Sequence, residues 1–316
     1  MNDPYDVLVI GGGAAGLSAT LLLARARLRV LLVDSGQQRN LPAAGVHGFV
    51  GNEGTSPADL VARGIAEVRG YGAEVIEGRV ESLARDGDTF GARLADGTAV
   101  TARRVLVTTG LVDELPDHIT GIAERWGRDV LHCPFCHGWE VRDQPIGIIA
   151  TGAAALHQAT LFTMWTDDLT LFTNDAVVPD ESARELLAAR GVTIVDGAVE
   201  SLVIEDDRVT GIRLADGTIV PRTTVVVGPR FHARSELLQS LGVQTAELPM
   251  GMGEHVVAEA DGRTSVQGVW AAGNVAIPMG QVINAAAQGQ AAGLSIVADI
   301  LEEANHVAIG EYRRTN

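Results

Sequence analysis

Short apolar runs punctuate the chain, and several of them end in glycine-rich or acidic turns. Val7-Leu8-Val9-Ile10 is an unbroken apolar run of the kind that lies buried in a parallel sheet. Gly11-Gly12-Gly13-Ala14-Ala15-Gly16 follows directly, and an Ala- and Leu-rich stretch from about Ala14 to Ala26 predicts a helix. Arg29 to Val33 predicts a second strand ending at Asp34. The same strand, loop and helix order returns at Ile146-Gly147-Ile148-Ile149 with Ala150-Thr151-Gly152-Ala153-Ala154-Ala155. A further strand is expected from Leu169 to Phe172.

The second half of each unit also repeats. Arg93-Leu94-Ala95-Asp96-Gly97-Thr98 returns as Arg213-Leu214-Ala215-Asp216-Gly217-Thr218, and Val80-Glu81-Ser82 as Val199-Glu200-Ser201. Each copy reads as a hairpin around an Asp-Gly turn. Each is followed by a β-branched run, Val105-Leu106-Val107 or Val225-Val226-Val227. One domain plan therefore occurs twice, which predicts an α/β chain with two Rossmann-like dinucleotide-binding domains, each a three-layer ββα arrangement.

The first unit carries a complete dinucleotide fingerprint. Gly11 permits the tight turn, Gly13 lets the backbone approach a pyrophosphate, and Gly16 allows close helix–strand packing. The helix start offers amide donors and a partial positive charge. Asp34, 18 residues beyond Gly16, can accept from ribose hydroxyls. This pattern by itself does not separate FAD from NAD.

The second unit departs from that fingerprint. Ala150 stands where the first glycine belongs and restricts the turn. The following strand ends in Thr173-Asn174-Asp175, without the arginine that a 2′-phosphate asks for. NADPH should therefore bind poorly. NADH is left open through Asp175, and the preferred reading is that no nicotinamide is used.

Composition narrows the partners. Of 316 residues, 46% are hydrophobic and 20% charged, as in a globular chain of about two domains. The net charge is −16 and all 24 basic residues are arginine. Such a surface repels phosphate backbones, so nucleic acid is not an expected partner. The opening Met1-Asn2-Asp3-Pro4-Tyr5-Asp6 has no signal-peptide pattern, and no apolar run approaches the ~20 residues of a membrane span. A soluble cytoplasmic protein without membrane contact is expected.

The only two cysteines are Cys133 and Cys136, in Leu131-His132-Cys133-Pro134-Phe135-Cys136-His137-Gly138-Trp139-Glu140. In a reducing compartment an isolated Cys-x-x-Cys reads as redox-active or metal-binding. His132 and His137 would complete a Cys2His2 set, but six consecutive residues could hardly wrap a tetrahedral ion, so no metal is expected. Placed at the start of a helix, the pair falls within disulfide range and its thiolate is stabilised. Pro134 suits the first helical turn. His137, with His132 beside it, titrates near neutrality and can move the proton that thiol exchange requires. Trp139 reads as a packing residue.

Together these features resemble the low-molecular-weight thioredoxin reductase family, and the resemblance covers essentially the whole chain. It implies a discontinuous FAD domain of residues 1–112 and 235–316 around a central NAD(P)-like domain, 113–234, that carries the Cys-x-x-Cys. Gly268-Val269-Trp270-Ala271-Ala272-Gly273-Asn274-Val275 resembles the family's second FAD motif, with Asn274 in place of an aspartate. Thr108-Thr109-Gly110 resembles its crossover strand, and Met279-Gly280-Gln281-Val282 stands where the family has Arg-Gln before the last helix, expected over about 281–301. The implied FAD contacts are Gly11, Gly13, Ala14, Ala15, Gly16, Asp34, Ser35, Val80, Thr109, Gly110, Gly273, Asn274, Gln281 and Val282. Arg39, Asn40 and His47 are expected near the flavin or a substrate pocket, the alternative being a solvated loop.

Where the family usually reads Cys-x-x-Cys-Asp-Gly, this chain reads Cys-Pro-Phe-Cys-His-Gly. With the altered second loop, this looks like the dithiol oxidase branch, whose members close disulfides in gliotoxin- and holomycin-type products. The resemblance then implies Cys133 exchanging with a small-molecule dithiol, Cys136 against the flavin, His137 with His132 activating the substrate thiol, O2 as acceptor, and a homodimer. An NAD(P)H-dependent thioredoxin reductase, a reductase fed by another electron carrier and a non-catalytic flavin sensor are the competing readings.

Overall fold

Alternate residues of the first strand face opposite sides of one sheet. In a computed structural model describing residues 3–316, Val7 and Val9 pack with Leu17, Leu23 and Ile296 on the helical side. Leu8 and Ile10 pack with Leu83, Phe90 and Leu94 of the hairpin on the other. Met1 and Asn2, which open the polar N-terminal segment, lie outside the described residues. Period-two alternation thus divides one strand between two cores and builds three layers.

The first sheet has seven strands. Glu74–Glu77, Val30–Asp34, Tyr5–Ile10 and Ala99–Val107 run parallel, with Val7 opposite Val30 and Val105 opposite Leu8. The early part of Ala99–Val107 pairs antiparallel with Thr89–Leu94, while Val105 to Val107 pair parallel with Val269–Ala271. A strand more than 160 residues later in the chain therefore completes the first sheet.

The second sheet repeats the plan, with Thr193–Val195, Leu169–Phe172, Ile146–Ile149, Thr224–Val227 and Val130–Leu131 all parallel. Both hairpins carry the same register shift, after Val80 and after Val199. Both Asp-Gly turns close identically, Asp96 and Asp216 each accepting from the amide of Thr98 or Thr218 at 2.8 Å. The copies differ at one strand. The first copy's continuous Ala99–Val107 is split in the second into Ile219–Pro221 and Thr224–Val227. The break follows Pro221, which has no amide hydrogen for the ladder.

The two chain crossings form a ribbon of their own. Leu111–Glu114 pairs antiparallel with Arg230–Ala233, so Asp113 stands opposite Phe231. The expected boundaries near 112 and 234 fall on this ribbon or just beyond it.

The first helix, Ala14–Arg25, agrees with expectation, whereas the last runs from Val282 to Thr315 rather than to about 301. Its extension, Glu302 to Arg314, holds no proline and is rich in helix formers. Arg104 fixes the middle of this helix through Asp299 and Glu303. Among the described residues no helix is long and apolar enough to cross a membrane. The first and last helices meet at bare backbone: a Cβ on Gly289 would lie 2.0 Å from the carbonyl oxygen of Ala15. Gly289→Ala is therefore expected to destabilise the protein by about 1–3 kcal/mol, as an overpacked core does. On an exposed helix the same change stabilises by about 1 kcal/mol, so the sign in a denaturant titration decides.

Candidate flavin and dithiol site

The first glycine loop is built by exclusion. Gly11 has φ +110°, and a Cβ there would lie 2.4 Å from the Thr108 carbonyl oxygen. A Cβ on Gly16 would lie 1.8 Å from the carbonyl oxygen of Gly11. Gly13, by contrast, faces open space, and it begins the helix in extended conformation with no side-chain cap. Helix-start amides without internal partners beside an unfilled space are what a pyrophosphate needs. Asp34 accepts from the Gly12 amide at 2.8 Å and from Gln38 Nε2 at 2.6 Å. Gly12 is constrained too, since a Cβ there would lie 2.7 Å from Asp34 Cγ.

The opposite wall comes from the returning chain. Gly273 takes φ +80° and donates its amide to Gln288 Oε1 at 2.9 Å. Asn274 Nδ2 donates to the carbonyls of Ile277, Pro278 and Gly280 at 2.8–3.2 Å. A carboxylate in the same pose would oppose three carbonyl oxygens, so this loop selects the amide and leaves Oδ1 as acceptor. Gln281 caps the last helix in a reciprocal box with Asn284, and Val282 is its first helical residue. Thr109 ties the crossover to the Arg234 carbonyl at 2.7 Å.

One cavity of about 2150 Å³ joins these walls. Of the expected residues, Gly11, Gly13, Ala14, Ala15, Asp34, Ser35, Arg39, Asn40, His47, Val80, Thr109, Gly110, Gly273, Asn274, Gln281 and Val282 line it, as do His132, Cys133, Cys136 and His137. Gly16 does not, being spent on helix–strand packing. Ordinary small-molecule pockets hold roughly 300–1,000 Å³, so this one has room for a dinucleotide beside a further ligand. The open side of Gly13, the uncapped helix and the acceptors at Asp34 and Asn274 fit FAD.

Cys133 and Cys136 are joined in a disulfide, with Cα atoms 5.3 Å apart. The expected helix is a single turn, Pro134–His137, with Cys133 as N-cap. Just beyond it Gly138 lies under the Trp165 ring, where a Cβ would come within 2.8 Å. So short a helix has little dipole, and thiolate stabilisation falls to neighbouring hydrogen bonds instead. Trp139 is not a packing residue: it is 66% exposed, with the Arg142 guanidinium 4.0 Å from its ring centre. Phe135, between the cysteines, is 58% exposed.

The two histidines flanking the pair sit in different surroundings. His137 is half-buried, and burial holds its pKa below the ordinary 6.5, with Glu140 pulling upward and His47 downward. His47 bonds Glu53 through Nδ1 at 2.7 Å and turns Nε2 towards Glu140 at 3.7 Å. His132 is stacked on Trp126 and edge-on to Phe231. Burial and the nearby Arg39 push its pKa down to about 3. Both rings are neutral at physiological pH, and His137 is the one whose value stays closer to it.

Residues 5–289 match the family described as Pyridine nucleotide-disulphide oxidoreductase. The chain belongs to this family. Among its relatives, thioredoxin reductase tcpT of Claviceps purpurea is 31% identical over 96% of this chain and 97% of its own. Thioredoxin reductase sirT of Leptosphaeria maculans is 30% identical over 92% and 93%. The crystal structure of HlmI superposes with a TM-score of 0.93 at 45% identity, covering 99% of this chain and 97% of that one. The oxidoreductase from Agrobacterium tumefaciens does so with 0.88 at 36%, covering 95% and 99%. Within the family the chain is a low-molecular-weight, thioredoxin reductase-like flavoprotein, an FAD-dependent thiol–disulfide oxidoreductase.

In this thioredoxin reductase-like chain the second loop also borders the cavity, with Gly152 on open space, but its first position and its strand end are built differently from the first loop. Ala150 is fully buried and lies outside the left-handed region that Gly11 adopts. Asn174 closes the strand end from within, donating to the Ala150 carbonyl at 3.1 Å and accepting from the Val199 amide at 2.9 Å. Thr151 is bonded to the Gly228 carbonyl at 2.7 Å. Sequence reasoning left NADH open through Asp175 and gave no role to Asn174, whose only signal was its place at a strand end. It also missed Asp113, hidden at an expected domain boundary. Asn174→Ala is expected to lower stability by about 1–3 kcal/mol, because a buried amide and carbonyl lose their partner. Thermal denaturation checks this, with flavin absorbance per chain unchanged.

Proposed function

We propose that the protein is a dithiol oxidase: it closes a disulfide in a small-molecule dithiol and passes the electrons through Cys133 and Cys136 and FAD to O2. The observation that carries this is the second cradle, where Asn174 consumes the strand end and no arginine follows it. A nicotinamide-dependent reductase needs an entry for nicotinamide electrons; an oxidase does not. In this reading residues 1–112 and 235–316 form the FAD-binding part around the central 113–234, and a homodimer is the working assembly. NADH and NADPH have no role.

The chemistry follows from the residues in the cavity wall. His137, neutral and half-buried, takes the proton of a substrate thiol. The resulting thiolate attacks Cys133 Sγ, breaks the Cys133–Cys136 bond and leaves Cys136 as a thiolate. The second substrate thiolate then attacks the substrate sulfur of the mixed disulfide, closing the product and releasing Cys133. Two thiols are oxidised and the enzyme disulfide is reduced. Bound FAD would accept that electron pair and hand it to oxygen, giving hydrogen peroxide. The exposed Phe135 and Trp139 offer apolar surface beside the disulfide.

Anaerobic dithiothreitol should bleach the flavin, air should restore it with release of peroxide, and NADPH or NADH should leave oxidised flavin unchanged. Rapid bleaching by either nucleotide would make the protein a reductase instead. The pH dependence has a definite sign. Because His137 titrates below 6.5, the rate of flavin reduction by dithiol should hold level down to that pH and fall only beneath it. Stability should weaken over the same acid range, since the unfolded chain binds that proton more readily. In His137→Gln the acid limb should disappear and the rate drop by about 10²–10⁴, read by anaerobic stopped flow.

A further inference from the structure

Arg39 leaves the loop after Asp34 and reaches the segment that carries the disulfide. Asp113 grips its guanidinium twice, Nε to Oδ2 and Nη2 to Oδ1, each at 2.6 Å. The pair is little exposed, at 22% and 7%. The same guanidinium lies 5.3 Å from the centre of the Phe231 ring. From this fixed position Nη2 reaches His132 Nε2 at 3.2 Å. A guanidinium offers donors and no acceptor, so Nε2 receives the bond and the ring proton belongs on Nδ1. Trp126, stacked at 5.5 Å and 20°, and Phe231, edge-on at 6.3 Å, hold the ring plane. Gln158 Nε2 holds the His132 carbonyl at 2.8 Å. Among the described residues Nδ1 has no hydrogen-bond partner, and the ring lines the cavity beside Cys133.

We propose that Arg39 and Asp113 are positioning residues that lock His132 as a neutral imidazole with its proton on Nδ1, making it a hydrogen-bond donor to the Cys133 thiolate. This rests on the dithiol chemistry above and deepens it. Cys133 becomes a thiolate when the second substrate sulfur displaces it, and a donor beside a leaving thiolate speeds its departure. His132 gives up no proton, so proton removal stays with His137. The charged and titratable groups facing His132 are Arg39, with Asp113 behind it, and His137. Burial, Arg39 and His137 oppose protonation of the ring, consistent with the lowered pKa.

The test uses flavin-loaded enzyme with ¹⁵N-labelled histidine, the His132 signal being identified as the one missing in His132→Asn. Between pH 5 and 8 the ring should keep a single neutral form protonated on Nδ1. Titration near 6.5, or a proton on Nε2, overturns the proposal on wild-type protein alone. Anaerobic flavin reduction by dithiothreitol supplies the second readout. His132→Asn, whose amide donor falls near the position of Nδ1, should stay within about threefold of wild type. His132→Gln, whose donor falls at Nε2, and His132→Ala should lose about ten- to a hundredfold, the worth of one hydrogen bond to a charged group. Equal losses in all three overturn it. In Asp113→Asn, or in Arg39→Lys should the first not fold, His132 should begin to titrate or to show a second tautomer. An unchanged His132 spectrum there removes the positioning role. Neither readout involves oxygen or nicotinamide, so an error about the electron acceptor would leave both results intact.

Discussion

The helix after the first glycine loop touches its neighbours through backbone rather than side chains. Gly16 brings it against the carbonyl of Gly11, and Gly289 brings the last helix against the carbonyl of Ala15. These contacts leave no space for a methyl group. They fix where the helix begins, and that beginning is the phosphate end of the cavity. Gly13 is the exception that gives the rest its purpose: it alone among these glycines faces open space. A chain segment from beyond residue 280 is thereby required for a site whose fingerprint lies in the first 34 residues. The parallel pairing of Val269–Ala271 with Val105 to Val107 and the ion pairs of Arg104 with Asp299 and Glu303 hold that late segment in place.

Around the disulfide the governing feature is neutrality. The nearest guanidinium, Arg39, is compensated by Asp113, and both histidines are held uncharged by burial. The single turn from Pro134 to His137 adds little dipole. No fixed positive charge is therefore left over to hold a permanent thiolate, and stabilisation must come from directed hydrogen bonds. That favours a pair resting as a disulfide and reduced only when substrate supplies electrons. The rings of Trp126 and Phe231 shield His132 beside the pair, which strengthens the polar contacts it makes.

Most of the architecture was legible because it rests on periodicity and on glycine. The repeat announced two copies of one plan, and even the register shifts recur at Val80 and Val199. The cavity wall was legible where backbone sterics dictate the residue, as at Gly11 and Gly16. It was illegible where one side chain answers another across the fold. Asp113 gave no local sign of its grip on Arg39, 74 positions earlier, and Asn174 looked like a strand-end residue. Trp139 was expected to pack, but the ring that packs over Gly138 is Trp165, a residue 27 positions from it that no local pattern pointed to. The length of the last helix escaped because its end packs on nothing: the segment beyond Leu301 is almost wholly exposed, so no apolar stripe marks it.

The contrast between the two copies is the most informative comparison the molecule offers. Where they agree, the shared features are structural: parallel strands, Asp-Gly hairpins and a helix behind each loop. Where they differ, the differences converge on one place, the mouth of the second loop. Ala150 is buried where Gly11 turns, and Asn174 bonds the Ala150 carbonyl and the Val199 amide where Asp34 holds the Gly12 amide, although both side chains border the cavity. A cradle that must admit a ligand leaves polar groups facing its space, as the first does at Gly13. The second keeps an opening at Gly152, but its strand-end side chain is committed to a backbone carbonyl and amide. The asymmetry is thus concentrated in how one strand-end side chain is used: Asp34 holds an amide of the glycine loop, while Asn174 ties its loop to the start of the neighbouring hairpin.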